Sequence, residues 1–403
     1  MSVGTRKGRL GLAGALALTA SLAAGAAMAK DPIRIGVPTA LSGTYADLGN
    51  QAVRAVEFAV QEADKAGGVD GRAVEYKVYD SEAKPEVARR QAEKLALEGY
   101  NLLTGTIASG EGLAMAPMLE RWDALYISTI NKSNKISGDS CTARMFRVNH
   151  MDAQDAMVIR PWLADREETK WAVLAADIAW GQDASHSFVE AAAATGKEIA
   201  IDLFSPFGTN DFAPYIQQIR DSGAEAVWIA LAGRDALTFA NQASQFGLFG
   251  EVTTAGVSFV TDNTVNALGE ISRGIYGIIN YSSTLDTPEN KAFVEAWKAF
   301  YNGDEPSNFE GETYLGMQVI LEAVRRADSV VPIEVARQME GGTFSTILGE
   351  LTIRAEDHQI IAPNFFGHVG DYNGKLKPII TMTVDAEAAT PPPDPACQIG
   401  ELR

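Results

Sequence analysis

Strand-like and helix-like patterns alternate along almost the whole chain, and this alternation limits the fold more than any other feature. The first series contains the strand patterns "IRIGVPTA", "VEYKVYDSE", "NLLTGTIA" and "ALYISTI", with helical patterns between them. A second series follows "MFRVNHMDAQDAM" and contains "KWAVLAAD", "EIAIDLFSP", "AEAVWIALA" and "VTTAGVS". Repeated βαβ units form parallel sheets with helices on both faces. The sequence therefore predicts an α/β protein with two similar lobes.

Ligands of open parallel sheets bind beyond the carboxyl ends of the strands. Six loops follow predicted strands in this way: "SGTYADLG", "ASGEG", "NKSNK", "IAWGQD", "AGRDA" and "SFVTDN". The strands end near Val37, Ile107, Ile130, Ala176, Leu231 and Val257. We therefore expect a binding site built from these six loops.

Two of the loops deserve a chemical interpretation. The segment Pro38–Val53 has the strand, turn and helix order of a phosphate loop. It contains neither the G-x-G-x-x-G motif nor the GK[ST] motif of such loops. We therefore interpret it as a loop that contacts the solute or as a simple turn. In "GTIASGEG", Ser109 and Gly110 fall where the next helix begins. Helix amides and a hydroxyl group there would bind a carboxylate, or Ser109 would only cap the helix.

Composition and charge exclude several functions. The 403 residues carry a formal charge of −18 and no basic stripe, which argues against a nucleic-acid partner. Two cysteines and four scattered histidines do not suggest a metal site, and no cofactor motif is present. No G-x-S-x-G elbow occurs, and the S-x-x-K spacing at Ser81 to Lys84 lacks S-D-N and K-T-G. A secreted serine hydrolase is therefore only a minor alternative.

The first 29 residues have the pattern of a secretory signal peptide. Arg6, Lys7 and Arg9 precede an apolar segment, and "AMA" ends at Ala29 as a cleavage pattern. We expect cleavage after Ala29 and export to the periplasm, with a retained membrane anchor as the alternative. In an oxidising compartment, Cys141 and Cys397 are expected to form a disulfide rather than stay as two free thiols.

Longer motifs, taken in order, point to a family. They are "SG…G" after the first strand, "AGGVDGR", "YDSEAKPEVA", "WAVLAADIAWGQD", "GTNDFAPYIQQIRDSGAEAVWIAL", "QASQFGL" and "ETYLGMQVILEAVRRA". This order resembles the leucine/isoleucine/valine-type periplasmic binding proteins, which are type I receptors of ABC importers. The resemblance covers nearly the whole mature chain. It implies two Rossmann-like lobes that close over a ligand by hinge motion, without catalysis and without a cofactor.

The resemblance also implies a domain organisation. Three strands would cross between the lobes near Val148, Ile279 and Arg354. The predicted segments are a signal peptide (1–29), lobe 1 (30–148 plus 280–354), lobe 2 (149–279 plus 355–385) and a Pro-rich C-terminal tail (386–403) that shows no packing pattern.

Individual site residues follow from the same resemblance. Ser109 falls on the family's carboxylate-binding serine, and Ile130 and Lys132 fall where the family surrounds the ligand's carboxylate and ammonium. Trp180 and Phe309 fall on aromatic residues of the cleft. The full expected binding set is Tyr45, Leu48, Ser109, Gly110, Ile130, Lys132, Trp180, Ala232, Asp235, Val257, Ser258 and Phe309.

The sequence departs from amino-acid binders of this family at several positions. Leu48 and Ala232 stand where such binders often have tyrosine, and Val257 and Ser258 stand where they place a glutamate against the ammonium. Lys132 would add a second cation there, and a buried ammonium without a partner is disfavoured. The candidates for the missing acid are Asp235, Asp262 and Glu111.

The resemblance predicts a monomeric receptor that delivers a branched-chain or related amino acid to the permease and ATPase subunits of an ABC importer. A 2-oxo acid or an aromatic carboxylate is the alternative ligand, since neither carries an ammonium. A third possibility is a receptor that presents its ligand to a separate sensor.

Overall fold

The computed structural model describes residues 1–5 and 30–402. The positive and apolar parts of the predicted signal peptide, and its cleavage site, lie outside the described residues, as does the last residue of the chain. Within the described ranges, no helix is both long enough and apolar enough to cross a membrane.

The chain alternates between strands and helices as the sequence predicts. The strands are β1 (Ile33–Thr39), β2 (Val74–Asp80), β3 (Leu102–Thr104), β4 (Leu125–Ser128), β5 (Met145–Arg147), β6 (Lys170–Ala176), β7 (Glu198–Ser205), β8 (Ala226–Ala230), β9 (Thr253–Gly256), β10 (Tyr276–Ile278), β11 (Thr343–Thr346), β12 (Gly349–Ile353), β13 (Ile360–Ile361), β14 (Asn364–Tyr372) and β15 (Lys375–Val384). The α-helices are α1 (Ala46–Lys65), α2 (Pro85–Leu97), α3 (Ser109–Met115), α4 (Asp152–Ala164), α5 (Ala179–Ala194), α6 (Ala213–Asp221), α7 (Gly233–Gln245), α8 (Asp262–Leu268), α9 (Pro288–Phe300), α10 (Asn308–Ala327), α11 (Pro332–Met339) and α12 (Ala386–Ala389).

The first lobe is built on a five-stranded sheet in the order β2-β1-β3-β4-β5, in which all neighbouring strands are parallel. Its core joins this sheet to α1 and to the later helices α9 and α10, with Phe58 packed against Trp297. Helix α1 begins at Ala46, so the second half of the predicted loop "SGTYADLG" is already helical. The side chains of this loop therefore come from a short turn and from the first turn of α1.

The second lobe is built on a seven-stranded sheet in the order β15-β14-β10-β9-β8-β6-β7. Successive residues of β6 are buried on opposite faces: Trp171 and Val173 belong to one core, while Ala172 and Leu174 belong to the other. A nearly continuous apolar strand of this kind is typical of a parallel sheet that helices cover on both faces.

The parallel strands of the second sheet are joined at one edge by antiparallel strands. Strand β14 is antiparallel to both β10 and β15. Asn373 and Gly374 form the two-residue connection between β14 and β15, and both have positive φ values, 51° and 80°. An Asn-Gly pair with this backbone favours a tight hairpin, which explains the antiparallel edge.

The predicted lobe boundaries stay a prediction. Strand β13 pairs with β12 in a separate three-stranded sheet, and Ile360 and Ala362 belong to the core of the first lobe. This packing favours a third crossing after Ala362, which is later than the predicted position near Arg354.

The C-terminal tail is packed, although its sequence shows no packing pattern. Cys141 and Cys397 form the predicted disulfide, with their Cα atoms 5.5 Å apart. Ala389 of α12 is fully buried, and Gln154 donates a hydrogen bond of 2.9 Å to the hydroxyl of Thr390. The tail therefore leaves the second sheet after β15 and ends covalently attached to the first lobe, next to β5.

Candidate functional site: the interlobe cavity

The loops at the carboxyl ends of both sheets line a small cavity between the lobes. Its walls come from both lobes and are mainly apolar and aromatic. The lining residues are Tyr45, Leu48, Ile107, Ala108, Ser109, Ile130, Lys132, Trp180, Ala232, Ser258 and Phe309.

The structure brings together all the predicted site residues except three. The ideal Cβ of Gly110 would lie 3.1 Å from Pro85, so this residue faces α2. Val257 packs in the same apolar cluster as Tyr45 and Leu48 but does not line the cavity. Asp235 accepts a hydrogen bond of 2.8 Å from the amide of Gly208 through one carboxylate oxygen. Conversely, Ile107 and Ala108 line the cavity but were not predicted individually. Their position in the loop after β3 was the only signal that could have identified them.

Ser109 is the first residue of α3, but it does not cap that helix. Its Oγ accepts two hydrogen bonds, from the amides of Lys132 at 3.1 Å and Ser133 at 3.0 Å. The carboxylate of Glu111 instead binds the amides of Ile107 and Ala108 at 3.0 and 2.7 Å. Because amides occupy both acceptor positions of the Ser109 hydroxyl, its proton is left to donate a hydrogen bond toward the cavity.

Lys132 lines the cavity and is 5% exposed, so it does not extend into solvent. Its Nζ lies 2.7 Å from a carboxylate oxygen of Asp155 and 3.0 Å from the side-chain oxygen of Asn280. The other oxygen of Asp155 accepts a hydrogen bond of 2.9 Å from Asn364. The positive charge of Lys132 is therefore balanced within the protein before any ligand is considered.

Further titratable groups lie around this ion pair. Burial raises the pKa of Glu312 to about 8, although the nearby charge of Lys132 opposes the shift. Burial also raises the pKa of Asp152, whose carboxylate accepts a hydrogen bond of 3.2 Å from the indole of Trp180. For His150, burial lowers the pKa to about 4. Burial thus favours the neutral forms of Glu312, Asp152 and His150 around the Lys132–Asp155 ion pair.

None of the three acids considered as partners for a ligand ammonium lines the cavity. Glu111 binds backbone amides, and burial raises its pKa to about 7. Asp262 forms an ion pair of 2.9 Å with Lys377, away from the cavity. Asp235 is buried behind the cavity wall at the start of α7. Among the described residues, the cavity wall contains one cation and no acid.

The two lobes are in contact across the cavity. The amide of Arg234 donates a hydrogen bond of 3.0 Å to the carbonyl oxygen of Thr44. The ring of Tyr45 packs edge-on against Phe207 at 4.8 Å between centroids. Asp183 accepts a hydrogen bond of 3.1 Å from the amide of Asn134. These contacts join the ends of the two sheets, so the cavity has the geometry of a closed cleft.

The arrangement of polar groups in the cavity is suited to binding a small solute. Ser109 has amides as its recorded hydrogen-bond partners, and no histidine in residues 30–402 bonds to it. In the same range, no group of three metal-ligating side chains is close enough to hold an ion. Two α/β lobes closed over a small, mostly apolar cavity lined by three hydroxyl-bearing residues and one lysine are typical of a solute-binding protein.

Comparison with known proteins identifies the family. Residues 32–374 match the periplasmic binding protein family, and the chain belongs to this family. It is therefore a periplasmic binding protein.

Individual relatives agree with this assignment. The Leu/Ile/Val-binding protein homolog 6 of Brucella melitensis is 29% identical and aligns over 81% of this chain and 86% of its own length. The leucine-, isoleucine-, valine-, threonine- and alanine-binding protein of Pseudomonas aeruginosa is 26% identical over 80% of this chain and 86% of its own. A solute-binding protein of an ABC transporter from Rhodopseudomonas palustris, crystallised with 3,4-dihydroxybenzoic acid, has a TM-score of 0.82 and 24% identity, and it covers 89% of this chain and 98% of its own.

Proposed function

We propose that this protein captures a small, largely apolar carboxylate without an α-ammonium group in the interlobe cavity. Ser109 donates a hydrogen bond to the carboxylate, and the ammonium of Lys132, which also pairs with Asp155, lies at the same wall. Trp180, Phe309 and Leu48 surround the apolar part of the ligand. The ligand class is an aromatic carboxylate or a 2-oxo acid.

One observation carries this proposal: among the residues that the structure describes, the cavity wall holds the Ser109 hydroxyl and a lysine but no acidic side chain. The α-ammonium of an amino acid would be buried beside Lys132 without a carboxylate partner. An isolated buried charge costs several kcal/mol even after relaxation, which exceeds what ordinary hydrogen bonds contribute. A carboxylate without an amine avoids this cost.

An amino-acid ligand is the second candidate. The Brucella and Pseudomonas relatives are named for branched-chain and other small amino acids. Identities of 29% and 26% are low enough for the ligand to differ between these relatives and this protein. The part of the cavity wall near Ser258 has no acidic side chain among the described residues, which favours a ligand without an ammonium.

The cellular role follows from the family. We propose that the mature protein, cleaved after Ala29, acts in the periplasm as a monomer and presents its ligand to the permease and ATPase subunits of an importer. No chemical step is assigned to the site, because the Ser109 hydroxyl lacks a base among the described residues.

The first experiment compares ligands on protein that has been unfolded and refolded to remove any bound solute. Thermal unfolding is followed with leucine, with its 2-oxo analogue 4-methyl-2-oxopentanoate, and with benzoate. A ligand at about 100 times its dissociation constant stabilises the folded protein by roughly 2.7 kcal/mol, which raises the midpoint visibly.

A raised midpoint with benzoate or with the 2-oxo acid, and none with leucine, is the expected result. A shift with leucine alone would replace the proposal by the amino-acid candidate. No shift with any of the three, confirmed by calorimetry, would remove the carboxylate proposal.

A further inference from the structure

We propose that Asp152 is a positioning residue: it holds the indole of Trp180 in one place, so that the cavity selects carboxylates by the distance between their carboxylate and their apolar group. This inference rests on the proposed function, because it adds a length rule to the same carboxylate-binding cavity. Asp152 itself does not line the cavity and acts only through Trp180.

The first observation is the contact between these two side chains. The indole N–H of Trp180 donates a hydrogen bond of 3.2 Å to Oδ1 of Asp152. Asp152 is 1% exposed and Trp180 is 6% exposed, so bulk water does not compete for this bond. Because Trp180 lines the cavity, the orientation of its ring decides the shape of one wall.

The second observation is that the side chain of Asp152 has no other recorded partner among the described residues. Its Oδ2 is buried without a hydrogen bond, and its Oδ1 binds only the indole. Burial raises the pKa of this carboxyl, which favours the neutral form. A neutral carboxyl still accepts a hydrogen bond from an N–H group. Since burying a polar group costs free energy, the bond to Trp180 is the contribution that this side chain makes.

The third observation is that the same helical turn holds the polar wall of the cavity. Asp155 follows Asp152 by three residues on α4, and it pairs with Nζ of Lys132 at 2.7 Å. The backbone amide of Asp152 also donates a hydrogen bond of 3.0 Å to the carbonyl oxygen of Lys132. Residues three apart lie on one face of a helix, with Cβ atoms about 5–6 Å apart. One helical turn therefore fixes Trp180 and Lys132 relative to each other.

This arrangement joins the two lobes. Lys132 follows β4 of the first lobe, whereas Trp180 belongs to α5 of the second lobe, against which α4 packs. A ligand with its carboxylate at Ser109 and Lys132 and its apolar group against Trp180 has to match the distance that α4 sets. A shorter acid leaves a gap, and a longer acid pushes the indole away from Asp152.

The test measures dissociation constants by calorimetry for two series in which only chain length changes. The first series is benzoate, phenylacetate and 3-phenylpropanoate, and the second is 3-methyl-2-oxobutanoate, 4-methyl-2-oxopentanoate and 5-methyl-2-oxohexanoate. In the wild type, we expect the best acid of at least one series to bind about tenfold more tightly than the worst acid of that series. In Asp152→Ala this ratio should fall to about twofold, because the indole is free to move.

Three further variants define the role of the hydrogen bond. Asp152→Asn keeps an acceptor for the indole N–H and should keep the ratio. Asp202→Ala is the matched control: Asp202 accepts a hydrogen bond of 2.9 Å from Ser185, which lies on the same helix as Trp180 but does not line the cavity, so the ratio should stay unchanged. If Asp152→Ala does not fold, Asp152→Ser replaces it, because serine suits the start of a helix but is too short to reach the indole.

The indole N–H resonance of Trp180 reports the hydrogen bond directly. The protein has six tryptophans, and the signal that disappears in Trp180→Phe identifies Trp180. In ligand-free Asp152→Ala its proton should move upfield, because the acceptor is lost. In Asp152→Asn and Asp202→Ala it should stay close to the wild-type position. This readout is independent of any ligand.

The remaining outcomes separate this inference from the proposed function. If the resonance moves in Asp152→Ala but the length ratio does not, Asp152 only supports the fold and the inference is wrong. An unmoved resonance, or a ratio that also falls in Asp152→Asn or Asp202→Ala, overturns it as well. A wild type that binds acids of every length equally refutes the length rule and leaves the proposed function standing. If none of the acids binds, the proposed function fails and the length rule fails with it.

Discussion

At the scale of single residues, two hydrogen bonds from backbone amides to the side chain of Ser109 hold the cavity wall in place. The Ser109 hydroxyl accepts hydrogen bonds from the amides of Lys132 and Ser133, which links the loop after β3 to the loop after β4. The same interaction orients the hydroxyl proton. One residue therefore shapes two loops and offers a donor to the ligand.

Replacing Ser109 by alanine should weaken the binding of a carboxylate by roughly 1–3 kcal/mol, because the donor is lost. It should also lower the free energy of unfolding by a similar amount, because two buried amides lose their acceptor. Calorimetric titration and urea unfolding measure the two effects. Thr104→Ala is the control: its buried hydroxyl bonds to Ile127 at 2.8 Å away from the cavity, so stability should fall without a change in affinity. Unchanged affinity in Ser109→Ala would remove this residue from the site.

The buried carboxyl of Glu312 makes the free energy of unfolding depend on pH. It lies one helical turn after Phe309, on the same face of α10, and its folded pKa is about 8 against an ordinary value of 4.5. The folded state therefore holds a proton that the unfolded state releases. The resulting stability is fully present below the unfolded pKa and is lost as the pH rises through the folded pKa.

We expect the difference in free energy of unfolding between the wild type and Glu312→Gln to decrease as pH rises from 4.5 to about 8 and to level off above that. The slope should be at most about 1.4 kcal/mol per pH unit. Urea unfolding of both proteins across this range provides the measurement. The opposite shift of His150 is present in both proteins and cancels in the difference. A difference independent of pH would show that Glu312 is ionised in the folded state.

At the scale of secondary-structure elements, lobe closure depends on the start of α7. Gly233 has a φ of +56°, and an ideal Cβ there would lie 2.6 Å from the carbonyl oxygen of Thr44 in the other lobe. This carbonyl also accepts the hydrogen bond from Arg234. The close approach of the two lobes therefore requires a residue without a side chain.

Gly233→Ala should weaken ligand binding by roughly 1–3 kcal/mol, since the added methyl group pushes the closed lobes apart. Gly247→Ala is a matched control, because Gly247 also has a positive φ (+77°) in the second lobe but nothing lies within 4 Å of its ideal Cβ. Both variants should lose stability through backbone strain, but only Gly233→Ala should lose affinity. Calorimetry and thermal unfolding of ligand-free protein separate the effects. Equal affinities in the two variants would contradict this account of closure.

At the scale of the whole molecule, the disulfide adds a covalent link between the lobes beside the crossing strands. Cys141 lies in the first lobe before β5, and Cys397 ends a tail that leaves the second sheet. Arg354 donates a hydrogen bond of 2.7 Å to the carbonyl oxygen of Pro391, which fixes the middle of the tail. The bond closes a loop with a sequence separation of 256 residues.

The double variant Cys141→Ser/Cys397→Ser should lose stability, with roughly 5 kcal/mol as the upper limit of the chain-entropy model. Its tail should become sensitive to limited proteolysis after β15, because the anchor at the end of the tail is gone. Urea unfolding and mass spectrometry of the digest measure these effects. Non-reducing peptide mapping of the wild type, in which a 141–397 link must appear, is the control. A resistant tail in the double variant would mean that α12 and Thr390 hold it unaided.

The sequence by itself determined the α/β class, the two lobes, the disulfide and the loops that surround the cavity. These properties follow from local patterns: strand and helix periodicities, two cysteines in an exported chain, and the rule that parallel sheets bind ligands at their carboxyl ends. Ser109, Lys132 and Trp180 lie in loops that follow strands, and the resemblance to the family singled them out within those loops.

Only the tertiary structure decided what the side chains in those loops do. The pairing of Lys132 with Asp155, the turn that both Tyr45 and Asp235 contact, and the burial of Glu312 join residues from different lobes or elements. Gly110 and Val257 lie in the expected loops but do not line the cavity. A strand predicts where a loop emerges, whereas the direction of a side chain and the charge it meets depend on packing between distant segments, which no local pattern encodes.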